Sequence, residues 1–296
     1  MDHRSRRLAA LGTIPLALAV VIAGCSQSGE PTPGSNPSPG ASAAIEANPA
    51  WSHVHNLLIE GENLLLGTHA GLWRQAPGTE AALVSEDRFD VMGLTGGPSR
   101  YLASGHPAPG QSAPARLGLI ASTDGGRTWQ TVSLSGEADF HRLATSGDLV
   151  LGVDSGSGGL LRSLDGGTTW TSLPSPAPYG LAINPADTTA VIATTRQGPV
   201  ISSDSASTFT PLRDAPPLID IVWTTTAVYG ISTDGRLHRS ANGGRTWESA
   251  GSVDATPQAL AAEDDRVVVL AGGKVWESRD GGKSFTVRIT GLPGGH

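Results

Sequence analysis

A chain of 296 residues can bury a sizeable core, and its 39 glycines and 21 prolines, with few aromatics, favour many short strands and turns. The net charge is −7; without residues 1–24 it becomes 17 basic against 26 acidic side chains, or −9. No basic face remains to neutralise phosphates, which excludes nucleic acid as a partner.

The first segment, Met1–Arg7, carries Arg4, Arg6 and Arg7, and Leu8–Gly24 is an almost uninterrupted apolar run ending Ile22-Ala23-Gly24-Cys25. This pattern reads as a secretory signal over residues 1–24 with a small-residue cleavage site. Cys25, the single cysteine, directly follows it and resembles the lipobox of bacterial lipoproteins, which implies lipidation there. The rest of the chain is then expected at the bacterial cell surface, anchored to the outer face of the membrane, with no internal disulfide. An uncleaved anchor with an incidental cysteine is the plainer alternative. Residues 25–50 are Ser, Pro, Gly and Ala with almost no large apolar side chain, and read as a flexible linker reaching roughly 25–30 Å.

From Trp51 the pattern becomes strands, organised by one recurring phrase. Ser163–Trp170 (SLDGGTTW) has near-copies at Ser122–Trp129, Ser202–Phe209, Ser240–Trp247 and Ser278–Phe285. Their third residues, Asp124, Asp165, Asp204, Asn242 and Asp280, are spaced by 41, 39, 38 and 38 residues. A fixed period near forty marks a repeat of one supersecondary unit. Glycine at the fifth place supplies the positive φ of a tight turn, and Asp with Ser or Thr can bond the turn's own backbone. The closing aromatics, Trp129, Trp170, Phe209, Trp247 and Phe285, are expected to fold back as apolar plugs. Ala206 replaces that glycine in the third copy.

Four short strands accompany each copy, as in His141–Thr145, Leu149–Val153, Gly159–Ser163 and Trp170–Leu173. An earlier phrase from His53 lacks the turn. Residues 51–296 are therefore expected to form an all-β, six-bladed β-propeller of four-stranded antiparallel blades. Because Thr286–Thr290 supplies a fourth strand to the last blade, no swapped closing strand is required. A monomer is expected.

Starts of first strands and ends of second strands share one end of such a ring. His53, His55, His69, Met92, His106 and His141 fall there, among eight histidines in the chain. Imidazoles with a thioether point to a transition metal, copper first, zinc or nickel next. His53 and His55 are two apart, so both reach inward only if their strand begins irregularly. The alternative is a polar funnel in which the rings bond water and backbone. The proline-rich run from Gly105 to Arg116 reads as a lid or as a plain surface insertion.

The turn phrase resembles the Asp-box, or bacterial neuraminidase repeat, of β-propellers. With His53–His55, Thr68–Trp73, Met92–Leu94, Ala103–Pro107 and Asp139–Leu143, residues 51–290 resemble sialidase-like, putative glycosyl-hydrolase proteins of bacterial surfaces. The resemblance implies glycoside hydrolysis, yet the chain has no Arg-Ile-Pro motif, and Arg196 is the one arginine at a mouth position. A two-carboxylate mechanism would draw on Glu137, Asp139, Asp154 or Asp220, about 5–10 Å apart. A third reading is a non-catalytic scaffold for a glycan or a surface protein.

Overall fold

The computed structural model describes residues 44–47, 51, 53–97, 99–174 and 178–293. The expected signal segment, Cys25 and most of the linker lie outside them. A short strand, β1 (Ile45–Glu46), comes first. Blade 1 is β2 (Val54–Glu60), β3 (Asn63–Thr68), β4 (Gly71–Gln75) and β5 (Ala82–Leu83); blade 2 is β6 (Phe89–Gly97), β7 (Arg100–Pro107), β8 (Leu119–Ser122) and β9 (Gln130–Ser133). Blade 3 comprises β10 (Phe140–Ser146), β11 (Leu149–Asp154), β12 (Leu160–Ser163) and β13 (Thr171–Leu173). Blade 4 follows with β14 (Gly180–Ile183), β15 (Val191–Thr194), β16 (Val200–Ser202) and β17 (Thr210–Pro211). Blade 5 is β18 (Asp220–Trp223), β19 (Val228–Ile231), β20 (Arg236–Ser240) and β21 (Glu248–Ser252), and blade 6 is β22 (Pro257–Glu263), β23 (Arg266–Ala271), β24 (Lys274–Ser278) and β25 (Thr286–Thr290). Within each blade the strands pair antiparallel in chain order. The first strands touch one another in turn, and β2 meets β22, so six blades close a β-propeller as the period required.

One boundary differs from the sequence reading. Ile45 and Glu46, assigned to the linker, pair in parallel with Ile289 and Thr290 and add a fifth, outermost strand to blade 6. Two residues with an isoleucine in a Ser/Pro/Gly-rich stretch carry too little periodicity to announce a strand; an open edge on β25 supplies the partner.

The recurring turn is a hydrogen-bonded corner in all five copies. The first serine hydroxyl donates to the Asp or Asn side chain at 2.7–3.0 Å and accepts the amide of the fifth residue. In the four Asp copies a Thr or Ser hydroxyl donates to the other carboxylate oxygen at 2.6–2.7 Å. For Asp165, the Thr169 hydroxyl, then the Thr169 amide and Ser163, hold the carboxyl down to about 2. At Gly282 an added Cβ would lie 2.0 Å from Leu237 Cδ2, so φ of +86° and close packing both demand glycine. Ala206 nevertheless holds φ of 66°, next to Ser205 at 55°.

Six apolar clusters fill the six seams between blades. Trp129 packs on the cluster of blades 1 and 2, Trp170 on that of blades 2 and 3, and Phe209, Trp247 and Phe285 on the next three. Trp170 stacks on Phe140 with centroids 4.9 Å apart, and its Nε1 donates to Gly167 O. The sixth seam, between blades 6 and 1, is filled instead by the edge-on pair Trp51 and Trp73.

Polar side chains latch successive blades near the axis. Asn56, Arg142 and Asp220 occupy equivalent places on the first strands of blades 1, 3 and 5. Each bonds the next blade's backbone: Asn56 Nδ2 to Met92 O, Arg142 Nε to Tyr179 O, and Leu260 N to Asp220 Oδ2. Blades 2 and 4 place Gly93 and Gly180 there; a Cβ on Gly180 would meet Asp220 Oδ1 at 2.7 Å. Their second-strand partners, Ser104 and Thr194, bond onward instead, Ser104 Oγ accepting from Phe140 N and Thr194 Oγ1 donating to Ile219 O.

Candidate functional site

The strand irregularity that the His53/His55 spacing requires is present, and it recurs. Ladder registers skip one residue at His55, Met92, His141 and Gln258, each near the start of its blade's first strand, whereas the first strands of blades 4 and 5 pair with their second strands without a skip. A bulge leaves one residue unpaired and re-aims its side chain. The residue two before the bulge is His53, Asp90 or Asp139 in blades 1 to 3, and the residue facing it across the second strand's end is His69, His106 or Ser155. Three consecutive blades thus repeat one three-residue bracket with different occupants.

The brackets interlock. Asp90 reaches back to blade 1, with Oδ2 2.8 Å from His69 Nδ1 and Oδ1 3.5 Å from His55 Nε2, and contacts its own blade's His106 Nδ1 at 3.4 Å. His55 Nε2 and His69 Nδ1 are 3.3 Å apart, and the His53 ring lies 4.6 Å from that of His55 between centroids. Asp139 repeats the gesture one blade on: its Oδ2 is 3.3 Å from His106 Nε2, 3.0 Å from His141 Nε2, and accepts from Ser155 Oγ at 2.6 Å. All five mouth histidines therefore join one chain of imidazoles and carboxylates.

Burial works against the charge on Asp90, but the imidazoles of His55, His69 and His106 outweigh it and hold the carboxyl down to about 2. Asp90 is thus an anion across the physiological range. Its Oδ1 and Asp139 Oδ1 are buried and accept no hydrogen bond among the described residues. One donor atom each from His55, His69 and Asp90 falls within 4.8 Å of the others. Ligand atoms about 2.0–2.1 Å from a tetrahedral ion are roughly 3.3 Å apart, close to the separations here. His69 is 44% exposed in its side chain and His55 only 13%, so the group has a wet side and an inner side.

His55 also lines an axial cavity of about 330 Å3 that extends past Asn56 to Arg142 and Asp220. Burial raises the Asp220 carboxyl above its ordinary value, and Arg142 acts in the opposite direction. Met92 occupies the bulge place in blade 2, half-buried, with its carbonyl held by Asn56.

The four carboxylates considered for glycoside chemistry have different surroundings. Glu137 is exposed in a turn whose carbonyl accepts from Arg116. Asp154 accepts the amides of Asp139 and Ser157 and the Ser157 hydroxyl, and fixes the loop that carries Asp139. Asp220 bonds backbone amides of Ile221 and Leu260. Only Asp139 faces the histidines. The proline-rich run is pinned at its near side by Gln111 to Asp87 and Arg88, and at its far end by Arg116 to Glu137.

Asp90 went unnoticed in the sequence as a site residue. Its signal is positional: Asp90-Val-Met aligns with His53-Val-His and Asp139-Phe-His once the bulges are known.

Neither a protein-family model nor a curated protein matches this sequence. Solved structures share the fold. A nidogen/laminin complex matches at TM-score 0.59 with 12% identity, over 77% of this chain and 93% of that one. YCF48 bound to D1 peptide matches at TM-score 0.52 with 16% identity, over 83% and 84%. The GH74 enzyme of Niastella koreensis matches at TM-score 0.57 with 18% identity, over 84% of this chain but 46% of the enzyme, so this chain spans about half its length. At such identities the likeness defines a β-propeller and nothing narrower.

Proposed function

We propose that this protein is a lipid-anchored Asp-box propeller of the bacterial cell surface that binds a divalent transition metal at the mouth of its axial tunnel, through His55, His69 and Asp90. The observation that carries the reading is convergence: three donors from two blades, brought together by a bulge, with a charged carboxylate whose second oxygen is buried, accepts no hydrogen bond among the described residues and has only His55 Nε2, at 3.5 Å, beside it. An unpaired buried carboxylate oxygen is costly, and a cation satisfies it.

Two imidazoles and a carboxylate suit Zn²⁺ or Cu²⁺, whereas Cu⁺ would call on the Met92 sulfur. Three protein donors leave a position open for water or a ligand atom, the pattern of a site that handles something rather than merely holding the fold. Isothermal titration of the metal-free protein with Zn²⁺ and Cu²⁺ tests it. Micromolar or tighter binding is expected, weakened about 100-fold or more by His69→Ala. Absence of binding to both ions, or binding indifferent to His69→Ala, overturns the reading.

A further inference from the structure

We infer that the axial cavity takes a small dicarboxylate, one end completing the coordination of the metal and the other on the Arg142 guanidinium. The inference rests on the metal reading of the mouth and names the ligand class for that site. His55 belongs to both places: it is one of the three metal donors, and it forms part of the wall of the cavity of about 330 Å3 that also includes Asn56, Arg142 and Asp220. A cavity of that size lies at the lower end of the range that holds small molecules.

The three polar side chains near the axis differ in what they have left to donate. Asn56 Nδ2 is committed to Val91 O and Met92 O, and the Asp220 oxygens accept the amides of Ile221 and Leu260. Arg142 uses only part of its guanidinium, donating Nε to Tyr179 O at 2.8 Å and Nη1 to His141 O at 3.1 Å. Nη2 donates to nothing among the described residues, and Arg142 is the single Lys or Arg in the cavity wall. Two bonds fix the plane of the group, and the unused N–H groups on Nη1 and Nη2 form the fork that meets both oxygens of a carboxylate.

Charge selects a dianion. A divalent ion on the Asp90 carboxylate keeps a single net positive charge, and Arg142 adds a second. Asp220 acts on Arg142 through space but makes no ion pair with it among the described residues, and burial raises its carboxyl above the ordinary value, so it offsets the guanidinium only in part. Glu263, the other acid of the wall, ends β22 and is exposed. A monocarboxylate satisfies one end at a time, whereas in a dicarboxylate the second contact is intramolecular once the first has formed.

The test loads the full chain with Zn²⁺, confirms the bound zinc by mass spectrometry after gel filtration, and titrates malonate, succinate, glutarate and butyrate by calorimetry. At least one dicarboxylate is expected to bind about tenfold or more tighter than butyrate, which has one carboxylate only. Arg142→Gln is expected to abolish that advantage while zinc remains bound. Arg142→Lys, which keeps the charge without the fork, serves as a second variant and is expected to reduce the advantage at least about threefold; unchanged thermal midpoints establish that the variants fold. Dicarboxylates no tighter than butyrate, or an advantage undiminished in the folded Arg142 variants, overturn the inference and leave the metal site standing. A protein that holds no zinc overturns the metal reading and the inference with it.

Discussion

Five seams of this ring are closed by one device and the sixth by another. Between blades 1 and 6 in chain order, each junction receives an aromatic from a turn that bonds to itself, so the plug is positioned by local hydrogen bonds and its packing is repeated. The closing junction has no such turn, because blade 1 lacks the phrase. There, Glu277 lies between Arg266 Nε at 2.8 Å and Arg288 Nη1 at 3.0 Å, all three residues buried. Arg266 donates to the Gly61 and Glu62 carbonyls and Arg288 to Glu62 O and the Gln75 side chain, stitching the last blade to the first. Local turns can be copied from blade to blade, whereas the final junction joins residues some two hundred positions apart and depends on individual side chains. Charge with directional bonds specifies that meeting; grease alone would accept other registers.

The largest effect should come from breaking the charged seam. Glu277→Ala strands two buried guanidinium groups and is expected to cost about 3–5 kcal/mol in denaturant unfolding. Burial already lowers the Arg288 pKa, with Glu277 opposing that shift, so losing the carboxylate removes its chief compensation. Trp170→Ala, which empties a repeated seam, should cost about 3 kcal/mol, as the ring is partly exposed at its rim; a loss under about 1 kcal/mol would contradict its role as a plug.

Smaller effects sharpen the contrast. Ala47→Pro removes the amide that donates to Thr290 O at 2.6 Å and should cost about 1 kcal/mol if β1 reinforces the closing blade. Ala206→Gly relieves a left-handed alanine and should stabilise by up to about 1 kcal/mol, read as a raised thermal midpoint. The turns also predict an acid limb. Asp165 and Asp204 are held near 2 against an ordinary 3.8, so they favour the folded state above about pH 4 and lose that contribution as pH falls toward 2. Asp165→Asn should flatten the acid side of the stability profile, while Asn242, already neutral, adds nothing to it.

What the sequence disclosed and what it concealed divide along the same line. The period, the blade count and the turns were legible because each is local and repeated, and the crowding of histidines at one end followed from strand phase alone. The irregularity at His55 was signalled only by the two-residue spacing of His53 and His55, and the bulges at Met92 and His141 were not legible, since a one-residue skip leaves no mark in an apolar pattern. Without them Asp90 looks like an ordinary loop acid. Arg266, Glu277 and Arg288 likewise look like surface charges on the outer blade, and nothing in residues 44–47 sets them apart from the linker before them.

One mechanical corollary follows from the latches near the axis. Blades 1 to 5 each bond forward to their successor there, but blade 6 places Ala259 and Leu270 at the corresponding pair, which offer no donor or acceptor side chain. Among the described residues no latch of that kind joins blade 6 to blade 1 at that level, and indoles and ions tie the seam further along. Compliance should gather beside His53 and His55, so whatever their imidazoles grip would act as a rivet on the circle.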